Sequence, residues 1–339
     1  MKQAKLAEPE KVVFEEVPIP EPTEEQVLIK VKRIGVCGSD IHAYYGKHPY
    51  ISCPIVQGHE FSGEVAAVGS HVEGVSPGDK VTAMPQLVCG ECYPCTHGNY
   101  HICNDLKVIG CQADGAAREF IPVPGELIVK LPKEMSFDYG AMVEPVAVGV
   151  HAASRLGDVT GKNLLVLGAG PIGNLTAQAA KGMGARSVLI TDVSGYRLDV
   201  ATACGIDHVV DVSRENLDER LGSAFGPDGA DAILECVGIE QTMADAIRLA
   251  RKGSDIVVVG VFADKPRLDV GLVQDKELRL IGTLMYQDKD YAKAIELIES
   301  DRIRLDPLIS KHFKFEDYPQ AYKFIEQNGD RTMKVLIDL

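Results

Sequence analysis

The chain of 339 residues contains no run of about eighteen apolar residues, so no membrane-spanning helix is expected. Its first residues, MKQAKLAEPEKVVFEE, lack the continuous apolar core of a secretory signal. Without export there is no oxidising compartment in which to pair cysteines, and the cytoplasm is the expected location. Positive charge is in deficit: 35 Lys and Arg against 49 Asp and Glu give a net charge of −14. That balance argues against nucleic acid or an anionic membrane surface as partner. Internal repeats and low-complexity segments are lacking too. What is present is an ordinary globular composition, 45% hydrophobic and 25% charged. The length exceeds the size at which a single core stops growing, which predicts two domains.

The first 145 residues read as short strands joined by Gly/Pro turns: VLIKVKRIGV (27–36), FSGEVAAVGS (61–70), DKVTAMP (79–85) and REFIPVP (118–124). This pattern predicts a β-barrel-like unit. Near residue 150 apolar strands begin to alternate with helices: NLLVLGAG, a helix over 171–183, SVLITD, a helix over 195–204, DAILECVG and DIVVVGVF. Such βαβ alternation predicts an α/β domain with a doubly wound parallel sheet. An amphipathic helix (YAKAIELIES) and the strand-like MKVLIDL follow. The expected layout is a first domain over 1–148, a nucleotide-binding domain over 149–287, and a tail, 288–339, that rejoins the first.

Nine cysteines are distributed unevenly. Cys89, Cys92, Cys95 and Cys103 fall within fifteen residues, spaced by Gly90, Pro94, Gly98 and Asn99. Four such thiols can enclose one tetrahedral ion, and zinc is the usual occupant. A disulfide cluster is the alternative, at odds with a reducing compartment. A closed four-thiolate site has no open position for substrate, so it organises a lobe and the chemistry lies elsewhere.

Gly168-Ala-Gly170-Pro171-Ile172-Gly173 follows the strand NLLVL and opens a helix. The first glycine permits the tight turn, the second lets the backbone approach a pyrophosphate, and the third allows close helix–strand packing. Asp192, nineteen residues beyond Gly173, is placed to accept hydrogen bonds from the ribose hydroxyls and to repel a 2′-phosphate. NAD is therefore expected over NADP, with Arg197 the one residue nearby able to serve a phosphate. Two further groups carry metal-ligand chemistry, Cys37-Gly-Ser39-Asp40-Ile-His42 and Gly58-His59-Glu60. Spacing alone does not show that Cys37 and His59 meet.

GVCGSDIH, GHEFSGEV, the Cys89–Cys103 quartet, MVEPVAVGVHA and GAGPIG occur in the order seen in zinc-containing medium-chain dehydrogenases, and the chain resembles that family over essentially its whole length. The resemblance implies a GroES-like β-barrel catalytic domain with a Rossmann NAD-binding domain, and two zinc ions per chain, one catalytic and one structural. It implies Cys37 and His59 as ligands of the catalytic zinc, with Glu144 where the simple alcohol dehydrogenases have a cysteine. Glu60 is left between three roles: direct ligand, carboxylate behind the metal, or group exchanging with water. Ser39 and His42 match the family's proton relay, hydroxyl to ribose to imidazole to solvent. The Glu144 departure points to the polyol and sugar-alcohol branch, hence to oxidation of a secondary hydroxyl of a polyol, sugar alcohol or sugar acid. A threonine- or butanediol-type dehydrogenase is the enzymatic alternative, and an NAD- and zinc-binding structural protein the non-enzymatic one. A homo-oligomer, dimer or tetramer, is also implied.

Other residues carry weaker expectations. Tyr44, Tyr45 and the VIGCQADG segment are read as either pocket lining or packing. Lys334 stands where the family often has a basic residue near the pyrophosphate. His151 is read as a packing residue, and Cys53, Cys111, Cys204 and Cys236 as free thiols.

Overall fold

The computed structural model describes all 339 residues and divides the chain into two compact units. The first comprises Met1–Glu144 and Ile309–Leu339, the second Pro145–Leu308.

The first unit is organised on the strand Gln26–Gly35, whose Val27, Ile29, Val31 and Ile34 are at most 1% exposed. On one side it pairs antiparallel with Glu60–Val68. On the other, residues 26–30 pair with Phe120–Pro124, and residues 33–35 pair with the C-terminal strand Lys334–Asp338. The full order is Ile309–Lys314, Lys334–Asp338, Gln26–Gly35, Glu60–Val68, Lys80–Ala83, Ile128–Lys130. Register shifts at Leu28/Ile29 and Val31/Arg33 mark bulges, which increase local twist and curl the sheet. The strand Lys334–Asp338 is thus brought beside Gln26–Gly35 from the far end of the sequence.

The second unit contains six parallel strands in the order His208–Asp211, Ser187–Asp192, Asn163–Leu167, Ala232–Glu235, Asp255–Val258, Arg279–Gly282. This is the doubly wound arrangement, with its switch point between Asn163–Leu167 and Ala232–Glu235. Successive residues of NLLVL serve opposite cores. Leu164 and Val166 pack with Val188, Ile190 and Leu234, whereas Leu165 and Leu167 pack with Leu189, Val210 and Ile233. Helices cover both faces, which is why these strands read as continuous apolar runs.

Two boundaries differ from the sequence reading: the first unit's opening segment ends at Glu144 rather than 148, and the second unit runs to Leu308 rather than 287. The segment 288–308, expected in the first domain, belongs to the second unit. Its helix Asp288–Glu299 sets Leu297 against Gly182, where a Cβ would lie 2.8 Å from Leu297 Cδ2. The Gln178 side chain also exchanges hydrogen bonds with the Arg304 backbone, at 2.7 and 3.2 Å. The sequence also concealed the helix Phe137–Ser154, read only as an apolar motif. It contains Pro145 and is buried without a single apolar stripe, so it offers no helical periodicity to detect.

His151 and Asp290 are both buried, with Nδ1 2.7 Å from Oδ2, and the Gln287 amide donates to the same carboxylate oxygen at 2.9 Å. Burial alone would raise the Asp290 pKa, but the His151 bond and the amide outweigh it and hold the group below the ordinary carboxylate range. The stabilisation is therefore present above the unfolded-state pKa of about 3.9 and lost as pH falls through the folded value. Asp290→Asn should cost about 1–3 kcal/mol at pH 7 in urea unfolding, with the difference from wild type fading below about pH 4. A difference that does not change with pH would mean that the pair contributes no charge interaction.

Candidate active site

The Cys89–Cys103 lobe brings its four sulfurs together. Sγ separations are 3.4 Å for Cys92–Cys95, 3.7 Å for Cys92–Cys103 and 3.5 Å for Cys89–Cys103. A tetrahedral zinc with Zn–S bonds of about 2.3 Å would hold its sulfurs about 3.8 Å apart, close to these values. Backbone amides point at the sulfurs: Cys92 N to Cys89 Sγ, Cys89 N to Cys103 Sγ, Asn104 N to Cys92 Sγ and Asp105 N to Cys103 Sγ, at 3.3–3.5 Å. The Asn104 and Cys95 amides draw the Cys92 thiol down to about 6, whereas desolvation and neighbouring thiols push Cys95 up to about 12. Four thiolates in this space need a cation, and the donor set suits zinc.

A second group forms where two loops meet. Cys37 precedes the helix Gly38–Tyr44, His59 precedes the strand Glu60–Val68 and Glu60 opens it. The ligand atoms of Cys37, His59 and Glu60 all lie within 4.8 Å of one another. Gly35, opposite Glu60 in the ladder, makes room: a Cβ there would collide with Glu60 Oε2. Asp40 is fully buried, its Oδ2 accepting the Cys37 amide at 3.0 Å. Its Oδ1 has no hydrogen bond and lies 3.6 Å from His59 Nδ1. Burial lowers the His59 pKa, but Asp40 and Cys37 outweigh it and leave the imidazole well above its ordinary value. For Asp40 burial dominates and the carboxyl is raised. Cys37, Asp40 and Glu60 are thus three potential anions facing one lysine. A divalent cation would fit that imbalance, with a carboxylate behind the histidine as metal sites commonly have.

The third feature belongs to the second unit. Gly168, Gly170, Asp192, Arg197, Cys236 and Thr242 line a cleft of about 280 Å³ at the C-terminal ends of the strands, beside the switch point. The three glycines behave as their roles require. Gly168 has φ +98°, a Cβ on Gly173 would strike the Gly168 carbonyl, and Gly170 faces open space at the N-cap of the helix Pro171–Gly182. That helix start, with Pro171 and Ile172 in its first turn, suits a pyrophosphate.

Residues 23–133 match the family described as "Alcohol dehydrogenase GroES-like domain", and residues 171–300 the family described as "Zinc-binding dehydrogenase". The sorbitol dehydrogenase of Bacillus subtilis (strain 168) is 30% identical, over 99% of this chain and 97% of its own length. The L-threonine 3-dehydrogenase of Rhizobium etli (strain CIAT 652) is 34% identical, over 96% of this chain and 94% of its own. The crystal structure of galactitol-1-phosphate dehydrogenase from Escherichia coli matches with a TM-score of 0.93 and 32% identity, covering 100% of both chains. The chain belongs to the zinc-containing medium-chain dehydrogenase family. It is an oxidoreductase, a zinc-binding dehydrogenase.

Within this dehydrogenase several residues stand differently from expectation. Glu144 is buried on the helix Phe137–Ser154 but is not in the convergent group of Cys37, His59 and Glu60. Its charge bears on Lys334. Lys334 itself is buried, with Nζ 2.7 Å from both Glu60 carboxylate oxygens and 3.3 Å from the Val36 carbonyl. Its ammonium is therefore committed to Glu60 and not open to a cofactor phosphate. Burial would lower its pKa, yet Glu60 more than reverses this and Lys334 stays above the ordinary lysine value. Asp192 uses three of its roughly four acceptor positions on backbone amides, those of Ala169, Val193 and Ser194 at 2.8–2.9 Å. Arg197 Nη1 lies 3.7 Å from its Oδ2. Tyr44 is packing: its ring stacks on Tyr322 and its hydroxyl donates to the Glu10 carbonyl. Ser39 is half-buried and His42 exposed, three residues apart on one helix. Cys111, read as a free thiol, lies with Sγ 3.9 Å from His59 Nδ1; only its place in the VIGCQADG segment hinted at this.

Lys334→Met leaves a buried carboxylate without its ammonium and should destabilise the zinc-free protein by about 3–5 kcal/mol. Added zinc should then raise the melting temperature more in the variant than in wild type, because the metal supplies the missing positive charge. Equal zinc-induced shifts would show that Glu60 does not face the metal.

Proposed function

We propose that this dehydrogenase oxidises a secondary hydroxyl of a polyol, sugar alcohol or sugar acid, with NAD as acceptor. The convergence of Cys37, His59 and Glu60 is the observation that carries the reading. These three residues would hold the catalytic zinc, with Glu144 completing the set, and the Cys89–Cys103 quartet would hold a structural one. Bound zinc supplies Lewis-acid polarisation of the substrate hydroxyl, and NAD supplies the hydride acceptor.

The chain's own residues do the remaining work. Asp40 orients the His59 imidazole, and Lys334 holds the Glu60 carboxylate in place. Ser39 would take the hydroxyl proton as it gives up its own toward His42, which lies exposed on the same helix and releases a proton to water. An imidazole, which can both accept and donate a proton, suits that final transfer. Gly168, Gly170, Pro171, Ile172 and Gly173 would cradle the pyrophosphate. Asp192 reads the ribose through its one remaining acceptor position, and Arg197 closes over the same carboxylate. The resemblance to sorbitol and galactitol-1-phosphate dehydrogenases supports the polyol class; the threonine dehydrogenase at 34% identity keeps the amino-alcohol reading in view.

A homo-oligomer, dimer or tetramer, is supported by the second unit's sheet. Its edge strand Arg279–Gly282 is paired on one side only, and Leu280 and Leu284 are exposed nearby. The thiolates required by the quartet fit the cytoplasm, and no helix is long and apolar enough to cross a membrane.

The test is NADH appearance with the zinc-replete enzyme across polyols, sugar acids, L-threonine and 2,3-butanediol. Turnover should be greatest with a polyol or sugar acid, and Asp192→Asn should lower the preference for NAD over NADP. Turnover of threonine alone would move the enzyme to the amino-alcohol class, and NAD binding without any turnover would support a structural protein.

A further inference from the structure

Gln57 lies two residues before His59 and is 1% exposed. A buried primary amide must satisfy both ends, and this one does so across two elements. Its Nε2 donates to the Asp40 carbonyl at 3.0 Å, on the helix that Cys37 opens. Its Oε1 accepts the Tyr322 hydroxyl at 2.8 Å, from the C-terminal helix Tyr318–Gln327. The Tyr322 ring is fully buried and stacked on Tyr44, centroids 4.5 Å apart and 11° from parallel, so its hydroxyl is held in place by packing. The backbone of the same segment is fixed from the other side: Ala117 N donates to the Gln57 carbonyl and Ala116 N to the Gly58 carbonyl, both at 2.8 Å. Gly58 between them has φ +97° and little room for a side chain.

The amide therefore joins the loop bearing Cys37 and Asp40 to the segment bearing His59 and Glu60. Gln57 and Asp40 are only 17 residues apart in the chain, but no hydrogen bond with normal geometry links Asp40 to His59 directly, since 3.6 Å is too long for one. We propose that Gln57 and Tyr322 are positioning residues of the catalytic zinc site. They set the spacing between its two ligand-bearing segments and thereby slow loss of the metal. The inference rests on the assignment of Cys37, His59 and Glu60 to zinc.

The test follows zinc release from the holoenzyme to a chromogenic chelator, which reads two ions per chain with the quartet as internal control. Tyr322→Phe keeps the ring and its stacking but orphans Gln57 Oε1. Release from the catalytic site should quicken about tenfold, the equivalent of one hydrogen bond, while the quartet's ion leaves at the wild-type rate. The double variant Gln57→Leu/Tyr322→Phe removes both polar ends, which is often close to neutral for folding. It should regain the melting temperature lost in Tyr322→Phe without regaining zinc retention, and its cobalt-substituted form should show a shifted ligand-field absorption. If the double variant recovers both, or if Tyr322→Phe releases zinc at the wild-type rate, the pair serves folding only and the proposal is overturned. Wild-type enzyme that carries one zinc from the outset would overturn the underlying metal assignment as well, and is told apart by that count before any variant is compared.

Discussion

A buried ion pair holds the first unit's chemistry together. Glu60 and Lys334 lie on strands that flank the end of Gln26–Gly35, and neither charge reaches water. Burying two ions costs several kcal/mol each, so the pair persists only with near-ideal geometry and further partners. Both carboxylate oxygens at 2.7 Å and the Val36 carbonyl at 3.3 Å meet that condition. Gly35 is the steric counterpart, since a side chain there would occupy the carboxylate's place. The cluster of Cys37, His59 and Glu60 consequently has its lysine only when residues 336–338 have paired with residues 33–35.

The same economy of positions appears in the second unit. Opposite faces of NLLVL feed two cores, and the turn after it must leave the sheet at once. Gly168 supplies the left-handed backbone, and Gly173 lets the helix close onto the turn. What is left open is the space above Gly170, beside Asp192. Asp192 serves that turn, because its carboxylate ties the Ala169 amide to the start of the next loop. The residue proposed to read the ribose therefore also shapes the cleft.

How far the sequence revealed this depended on the distance over which each interaction acts. The Cys89–Cys103 quartet and the GAGPIG turn were legible because every participant lies within a few residues of the others. The parallel sheet was legible because strands buried on both faces are continuously apolar. The pairing of Lys334 with Glu60 spans 274 residues, and no local pattern announces it. A lysine in a terminal strand reads as a solvent-facing residue or a phosphate ligand until the fold places it. Gln57 was silent for the same reason, its partner Tyr322 lying 265 residues away. The helix Phe137–Ser154 was hidden by its own burial, since a helix wetted on no face shows no stripe. Glu144 shows the limit of resemblance: its motif was found, but the fold leaves it outside the group of Cys37, His59 and Glu60 while its charge bears on Lys334.

Two metals would have different duties, one in a closed lobe of four thiolates and one in an open group with mixed donors. Zinc content per chain, measured by elemental analysis on wild type and Cys37→Ala in parallel, tests that division most directly. Two ions falling to one, with the fold retained, is the predicted result. One ion in both proteins would leave only the Cys89–Cys103 site occupied and contradict a catalytic metal at Cys37, His59 and Glu60.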